Sequence, residues 1–233
     1  MLHIGGLQKT SLIDFPGKVS CVLFLSGCNY RCPYCHNPKL VSMPDGDPSD
    51  ESLSEFYGFL EQRRGLLEGV VISGGEPTLQ PALVECCKTL KQMGYAVKLD
   101  TNGSRPEVLQ RLLYEGLVDY VAMDIKTVPH HYTPVFSPKR DRVAVLESIV
   151  VLRDWNGAHE YRTTCIKPVI STSAINAIGR LIEGAPLYAL QTCRTENVLK
   201  PAYFKDRGRP FTQEEMPALK SAAEKWVDKV VVR

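Results

Sequence analysis

Three cysteines lie within eight residues, Cys28-Asn29-Tyr30-Arg31-Cys32-Pro33-Tyr34-Cys35, and three chemistries use such a set. A tetrahedral zinc site needs a fourth ligand. His36 is adjacent, but Cys35 and His36 can hardly reach one ion together, and no other Cys pair has ligand spacing. Thiol exchange would use Cys32-Pro33-Tyr34-Cys35, whose C-x-x-C form is activated at a helix N-terminus. Pro38 and Pro44 disfavour that helix, and Cys28 would have no part. The third chemistry is a [4Fe–4S] cluster: three thiolates leave one iron open to a further ligand, which means reaction rather than electron storage.

Four more polar groupings could serve chemistry: Gly74-Gly75-Glu76-Pro77, Asp100-Thr101-Asn102-Gly103, Asp124-Ile125-Lys126, and Arg162 within Tyr161-Arg162-Thr163-Thr164. Taken singly they have plain readings. The glycines make a turn, the aspartates cap strand-to-loop turns, and a one-residue shift of register would turn Arg162 outward.

The elements that must position these groups follow from apolar periodicity. Strands are expected at 19–25, 70–72, 95–99, 117–123, 160–166 and 187–190. Between and after them come helices at 53–60, 79–93, 106–114, 140–155, 173–183 and 213–227. The prolines at 33, 38, 44 and 48 make 29–50 a long loop. Residues 195–209 read as a polar loop, and Val230-Val231-Val232 as a tail. Alternating strands and helices call for a parallel sheet with right-handed crossovers, whose functional loops sit at the strands' C-terminal ends. The cysteine loop, the glycine pair and both aspartate groupings fall at such ends, and Arg162 falls on or just inside the fifth strand. The expected fold is α/β, a single domain over 1–233 whose parallel sheet is either doubly wound or curled as a barrel. An N-terminal extension covers 1–18, and a C-terminal helix and tail cover 212–233.

Composition limits the partners. With 44% hydrophobic and 23% charged residues over 233 positions, the chain is an ordinary folded protein. Twenty-eight Lys and Arg against 26 Asp and Glu leave a net charge of +2, so neither nucleic acid nor an anionic membrane is an expected partner. The opening Met-Leu-His-Ile-Gly-Gly lacks the charged and then apolar run of a signal peptide, and the early uncharged run 19–30 is short of the roughly 20 residues a span requires. A cytoplasmic location and reduced thiols are expected. Cys21, Cys86, Cys87, Cys165 and Cys193 form no second ferredoxin-like set, and Cys86 and Cys87 read as core fillers beside Leu83 and Leu90.

Taken jointly, in order and spacing, these motifs resemble the radical S-adenosylmethionine (SAM) superfamily. Cys35-His36-Asn37-Pro38, Asp100-Thr101-Asn102-Gly103 and Asp124-Ile125-Lys126 resemble its glycyl-radical-enzyme activating branch, which includes pyruvate formate-lyase activating enzymes. The opening stretch Gly6-Leu7-Gln8-Lys9-Thr10-Ser11-Leu12-Ile13-Asp14-Phe15-Pro16-Gly17 is similar to proteins labelled anaerobic ribonucleoside-triphosphate reductase activating protein. The resemblance covers about residues 5 to 194.

The resemblance implies a fold, a partial (β/α)6 TIM-like barrel of parallel strands, and with it a function and its residues. Cys28, Cys32 and Cys35 would hold one [4Fe–4S] cluster, and SAM would chelate its open iron. Reductive cleavage would give methionine and a 5′-deoxyadenosyl radical, which takes a Cα hydrogen from the glycine of a glycyl radical enzyme, an anaerobic ribonucleotide reductase by the N-terminal likeness. Tyr34 would pack on the adenine, and Gly74, Gly75 and Glu76 would meet the SAM amino group. Asp100, Thr101 and Asp124 match positions that bind a monovalent cation beside the SAM carboxylate, with Asn102 in the same turn. Lys126 and Arg162 would meet SAM, as would Arg194, which stands where pyruvate formate-lyase activators have a histidine. Flavodoxin or ferredoxin is the implied electron donor, with Arg31 and Lys39 beside the cluster loop. The surface segments 127–138 and 195–209 would then choose the partner. The same cluster acting on a small molecule, peptide or RNA is the second reading. An electron carrier or thiol-exchange protein is the third, and it leaves the glycine and aspartate motifs without a role.

Overall fold

The computed structural model describes residues 2–44, 50–132, 136 and 142–233. The chain forms two compact units. One comprises the segments up to Asn29, Lys39–Thr101 and Glu107–Val121; the other comprises Tyr30–Pro38, Asn102–Pro106 and Ala122–Arg233.

The first unit is built on strands β1 (Ile4–Ser11), β2 (Ser20–Leu25), β3 (Gly69–Gly74) and β4 (Ala96–Thr101), with β5 (Tyr120–Asp124) next in order. β2 pairs with β3 in parallel from Ser20 opposite Gly69 to Leu25 opposite Gly74, and β3 pairs with β4 in parallel from Gly69 opposite Ala96 to Ile72 opposite Leu99. Such strands are covered on both faces, hence the continuous apolar runs Cys21–Leu25 and Val70–Ile72. The helices α1 (Asp50–Gln62), α2 (Leu83–Gln92) and α3 (Pro106–Tyr114) supply the cover. In α2 the buried residues are Leu83, Cys86, Cys87 and Leu90, one stripe at helical spacing, so both cysteines are core fillers as expected.

The second unit has strand order β5-β6-β7-β9, with β6 at His159–Lys167, β7 at Tyr188–Thr192 and β9 at Val230–Val232. β6 and β7 run parallel, as do β7 and β9. The short β8 (Arg209–Pro210) pairs antiparallel with β6. Helices α4 (Arg142–Trp155), α5 (Thr172–Leu181), α6 (Pro201–Asp206) and α7 (Met216–Ala223) complete it. α5 is capped by Ser171, whose hydroxyl accepts from the Ala174 N–H at 3.1 Å, and it buries Ile175 and Ile178. The fold class is therefore α/β with a mostly parallel, open sheet.

Several expected elements are corrected. The N-terminal extension holds β1, an antiparallel edge strand whose pairing with β2 is interrupted between Ile4 and Gly6 and between Gln8 and Ser11. Its glycines and polar residues hide the alternation that marks a strand. The tail 230–232 is β9, a parallel strand beside β7, and the polar loop 195–209 contains α6. The helix expected from 79 begins at Leu83, because Pro77 and Pro81 confine the preceding residues to a 3-10 turn at Pro77–Leu79. The helix expected over 213–227 is confined to α7. The start of the helix expected at 140 and parts of the segments 29–50 and 127–138 lie outside the described residues.

Candidate functional site

In the first unit, the loop after β2 is sewn into the backbone. The N–H groups of Gly27 and Cys28 donate to the carbonyls of Leu40 and Val41 at 2.8 and 3.0 Å. The Gly75 N–H donates to Leu25 O and the Glu76 N–H to Gly27 O, both at 2.8 Å. Gly74 adopts φ +115°, and a Cβ there would lie 2.4 Å from Leu25 O; a Cβ on Gly75 would lie 2.1 Å from Gly27 O. The glycines are required by the chain's own backbone, a closer approach than any ligand need impose. Glu76 is 1% exposed. Its Oε1 accepts from the Thr78 N–H at 3.1 Å, from the Thr78 hydroxyl, and from Thr101 Oγ1 at 2.7 Å.

Asp100 sits at the end of β4 with donors on both carboxylate oxygens. Ser73 Oγ donates to Oδ2 at 3.1 Å, and Lys98 Nζ donates to Oδ1. Lys98, only 2% exposed, was not singled out by sequence reasoning. A period-2 signal existed, since Lys98 and Asp100 alternate with Val97 and Leu99 on one strand and so share a face.

In the second unit, the cysteine loop is pinned by main-chain bonds. The Cys35 N–H donates to Cys32 O at 3.1 Å. The N–H groups of Leu199 and Lys200 donate to Cys35 O and Pro33 O at 3.1 and 3.0 Å, and the Arg31 N–H donates to Phe136 O at 2.8 Å. The segment expected to be a free polar loop thus holds the cysteines in place. Cys32 is buried and Cys35 half-buried in this unit, Cys28 is half-buried in the first, and none of the three is in a disulfide. Among the described residues, no three His, Cys, Asp or Glu side chains are gathered as around a single metal ion.

Tyr34 is buried within rings of the same unit. Its centroid lies 5.8 Å from that of Phe136, Phe136 lies 6.0 Å from Tyr132, and Tyr132 lies 5.8 Å from Tyr30. The Tyr34 hydroxyl has no hydrogen-bond partner among the described residues. Burial, then the Cys32 thiol and Asp124, push its pKa well up, so it stays a protonated donor. An unpaired buried hydroxyl costs about 1–3 kcal/mol.

Asp124, at the end of β5, receives Arg162 Nε on Oδ1 at 2.7 Å and Lys126 Nζ on Oδ2 at 2.8 Å. Burial alone would raise its carboxyl, but Arg162 and then Lys126 outweigh it and hold the group well below the usual carboxylate range. Burial works against the charged Lys126 as well, and Asp124 reverses that, raising its pKa. Arg162 faces inward, in the orientation its register required. Two basic groups thus stand together on one carboxylate in a partly buried place, a setting that suits an anionic group. Tyr132 braces the turn through its hydroxyl, which accepts from the Lys126 N–H at 2.9 Å.

The remaining candidates have local duties. Asn102 is buried and its Oδ1 accepts from the Ser104 N–H at 2.9 Å, an Asx turn leading to α3. Arg194 is exposed. Partial desolvation and then its charge lower the His36 pKa.

The donor sets fit the implied groups in two respects: reduced thiols for iron, and a cation pair, with a hydroxyl that has no partner among the described residues, for the carboxylate and the polar edge of a nucleoside. The monovalent cation fits less well, since the described acceptor oxygens of Asp100 and Asp124 already meet protein donors.

Comparison with known proteins agrees with the motifs. The family model described as the Radical SAM superfamily matches residues 22–166, which include every candidate site residue except Arg194. A protein of Methanocaldococcus jannaschii named "Putative glycyl-radical enzyme activating enzyme" is 34% identical over 99% of this chain and 95% of its own length. The pyruvate formate-lyase-activating enzyme of Clostridium pasteurianum is 34% identical over 55% of this chain, a match that spans about half (54%) of that enzyme. In structure, Streptococcus suis SuiB bound to S-adenosylmethionine superposes with a TM-score of 0.64 at 12% identity, over 88% of this chain and 48% of SuiB, a likeness of fold alone. Among the described residues no helix is long and apolar enough to cross a membrane. The chain belongs to the radical SAM superfamily, and within it to the enzymes of the glycyl-radical activating branch.

Proposed function

We propose that this protein is a cytoplasmic activase, a single radical SAM core domain over 1–233, that installs the glycyl radical of an anaerobic ribonucleoside-triphosphate reductase. The observation that carries the reading is the Asp124–Lys126–Arg162 constellation, two largely buried basic groups held together on one carboxylate. When bound, the cluster and SAM supply one-electron cleavage of the sulfonium to methionine and a 5′-deoxyadenosyl radical, which takes one hydrogen atom from the partner's glycine Cα.

The chain's own residues bind, orient and exclude water. Cys28, Cys32 and Cys35 would hold the cluster through their thiolates. Lys126 and Arg162 draw the SAM carboxylate, and Asp124 fixes both cations so that little reorganisation accompanies binding. The Tyr34 hydroxyl gains the partner it lacks. The rings of Tyr30, Tyr132 and Phe136 keep water from the cysteine loop, which matters because a carbon radical must be held against a single hydrogen. A glycine suits that step because no side chain blocks its Cα. Flavodoxin or ferredoxin supplies the electron, and the exposed Arg31 and Lys39 are the cations offered to its acidic surface.

The test is anaerobic. The reconstituted, reduced protein is mixed with SAM and either an anaerobic ribonucleotide reductase or a pyruvate formate-lyase, and the partner's EPR doublet is recorded. The doublet is expected in the reductase. Turnover of SAM with no doublet in the reductase would move the substrate to another glycyl radical enzyme, a small molecule, a peptide or RNA.

A further inference from the structure

A buried lysine without a ligand needs a reason, because removing an ammonium from water is costly unless it is paired. Lys98 is such a lysine. It lies opposite Val71 in the parallel register and shares a face of β4 with Ala96. Ala96 packs on the apolar cluster of Phe15, Val22 and Val71, along with Phe24 and Tyr120. The Lys98 ammonium reaches out of this surrounding to Asp100 Oδ1, and it stands 5.9 Å from the centre of the Tyr120 ring. The side-chain exposures of the pair are 3% and 15%.

We propose that Lys98 is a built-in cation for the Asp100–Thr101 turn, a positioning residue that replaces an exchangeable monovalent metal ion. The inference rests on the activase reading for its purpose, though not for its geometry. An ammonium group carries the charge and approximate size of K+, but its tether sets its position. With Oδ1 on Lys98 and Oδ2 on Ser73, Asp100 is neutralised and aimed by its own unit. Thr101 turns its hydroxyl proton to Glu76, which fixes the other member of the turn. A free cation offered to this turn meets a carboxylate whose charge is already balanced, so it gains little Coulomb energy for the water it must lose. At Asp124 both carboxylate oxygens likewise meet protein cations, Lys126 and Arg162. The cation implied by the sequence motifs is thereby replaced by lysine.

The experiment compares the cluster-loaded protein with Lys98→Met, which keeps the length and apolarity of the stem, and with the double variant Lys98→Met/Asp100→Asn, which also removes the stranded charge. SAM affinity is measured at constant ionic strength in tetramethylammonium, Na+ and K+, and binding of Tl+, a K+ mimic, is followed by 205Tl NMR without SAM. The wild type is expected to bind SAM within about twofold in all three salts and to leave the Tl+ resonance unchanged. Lys98→Met is expected to lose about tenfold to a hundredfold of SAM affinity in tetramethylammonium, to regain most of it in K+, and to broaden the Tl+ resonance saturably. The double variant is expected to lose that cation response. A wild type that needs K+ or binds Tl+ overturns the proposal, as does a Lys98→Met variant whose cation response equals that of wild type. If the loaded wild type binds no SAM, the activase reading falls, while the Tl+ signal still decides the role of Lys98.

Discussion

The strand ends of the two units carry the same kinds of residue and use them differently. In the first unit nearly every polar group has its described partner within the unit: Glu76 caps a 3-10 turn and holds Thr101, Asp100 is divided between Lys98 and Ser73, and Gly74 and Gly75 are pressed against backbone. In the second unit the strand end has one carboxylate for two cations, and the neighbouring cysteine loop keeps a buried Tyr34 hydroxyl without a described partner. The described bonds of the first set balance one another within the unit; the second brings two basic groups and a buried hydroxyl to its strand end and loop, the kinds of group that a non-protein ligand can use.

Substitutions should divide along the same line. The largest effect on folding is expected from Gly75→Ala, because its Cβ would stand 2.1 Å from a main-chain oxygen that cannot swing away. A loss of about 3–5 kcal/mol is expected by chemical denaturation. A variant as stable as wild type would show that this turn is not self-imposed. Arg162→Met should do the reverse, lowering SAM affinity about tenfold to a hundredfold by calorimetry, as fits one charge-assisted hydrogen bond. If it lost stability but not affinity, Arg162 would belong with the balanced set.

Acid sharpens the contrast. The Asp124 proton leaves more readily in the folded chain than in the unfolded one, so its stabilisation is present above the ordinary carboxylate pKa of about 4 and is lost as pH falls below it. Melting curves should show that loss, and Asp124→Asn should flatten it. The smallest effect is expected from Tyr34→Phe. Without SAM it should raise stability by about 1 kcal/mol, since a buried unpaired hydroxyl disappears, and it should weaken SAM binding less than tenfold. Destabilisation instead would mean that the hydroxyl already has a partner in the free protein.

Much of this arrangement is legible in the chain. The cysteine spacing, the glycine pair and the two aspartate turns all fall where apolar runs stop, and in a parallel α/β sheet those stops are the strand ends that carry function. Arg162 could be assigned to its strand but not to a face, since a one-residue shift of register reverses it, and only the packing turns it onto Asp124. Elements formed by long-range pairing escape such reading. β1 is polar and broken by irregularities, β9 is three valines whose partners on β7 lie 42 residues upstream, and α6 lies in a polar stretch read as a loop. Lys98 escaped because a lysine is ordinarily surface, and only the packing of Val71 and Tyr120 about its strand makes it interior.

The most direct measurement is 5′-deoxyadenosine formed by the reconstituted, reduced protein with SAM under anaerobic conditions, beside Cys32→Ala. The account predicts formation by the wild type and none by the variant, which lacks one of the three thiolates. A protein fully loaded with its cluster that neither binds nor cleaves SAM, or cleavage that persists without Cys32, would contradict it.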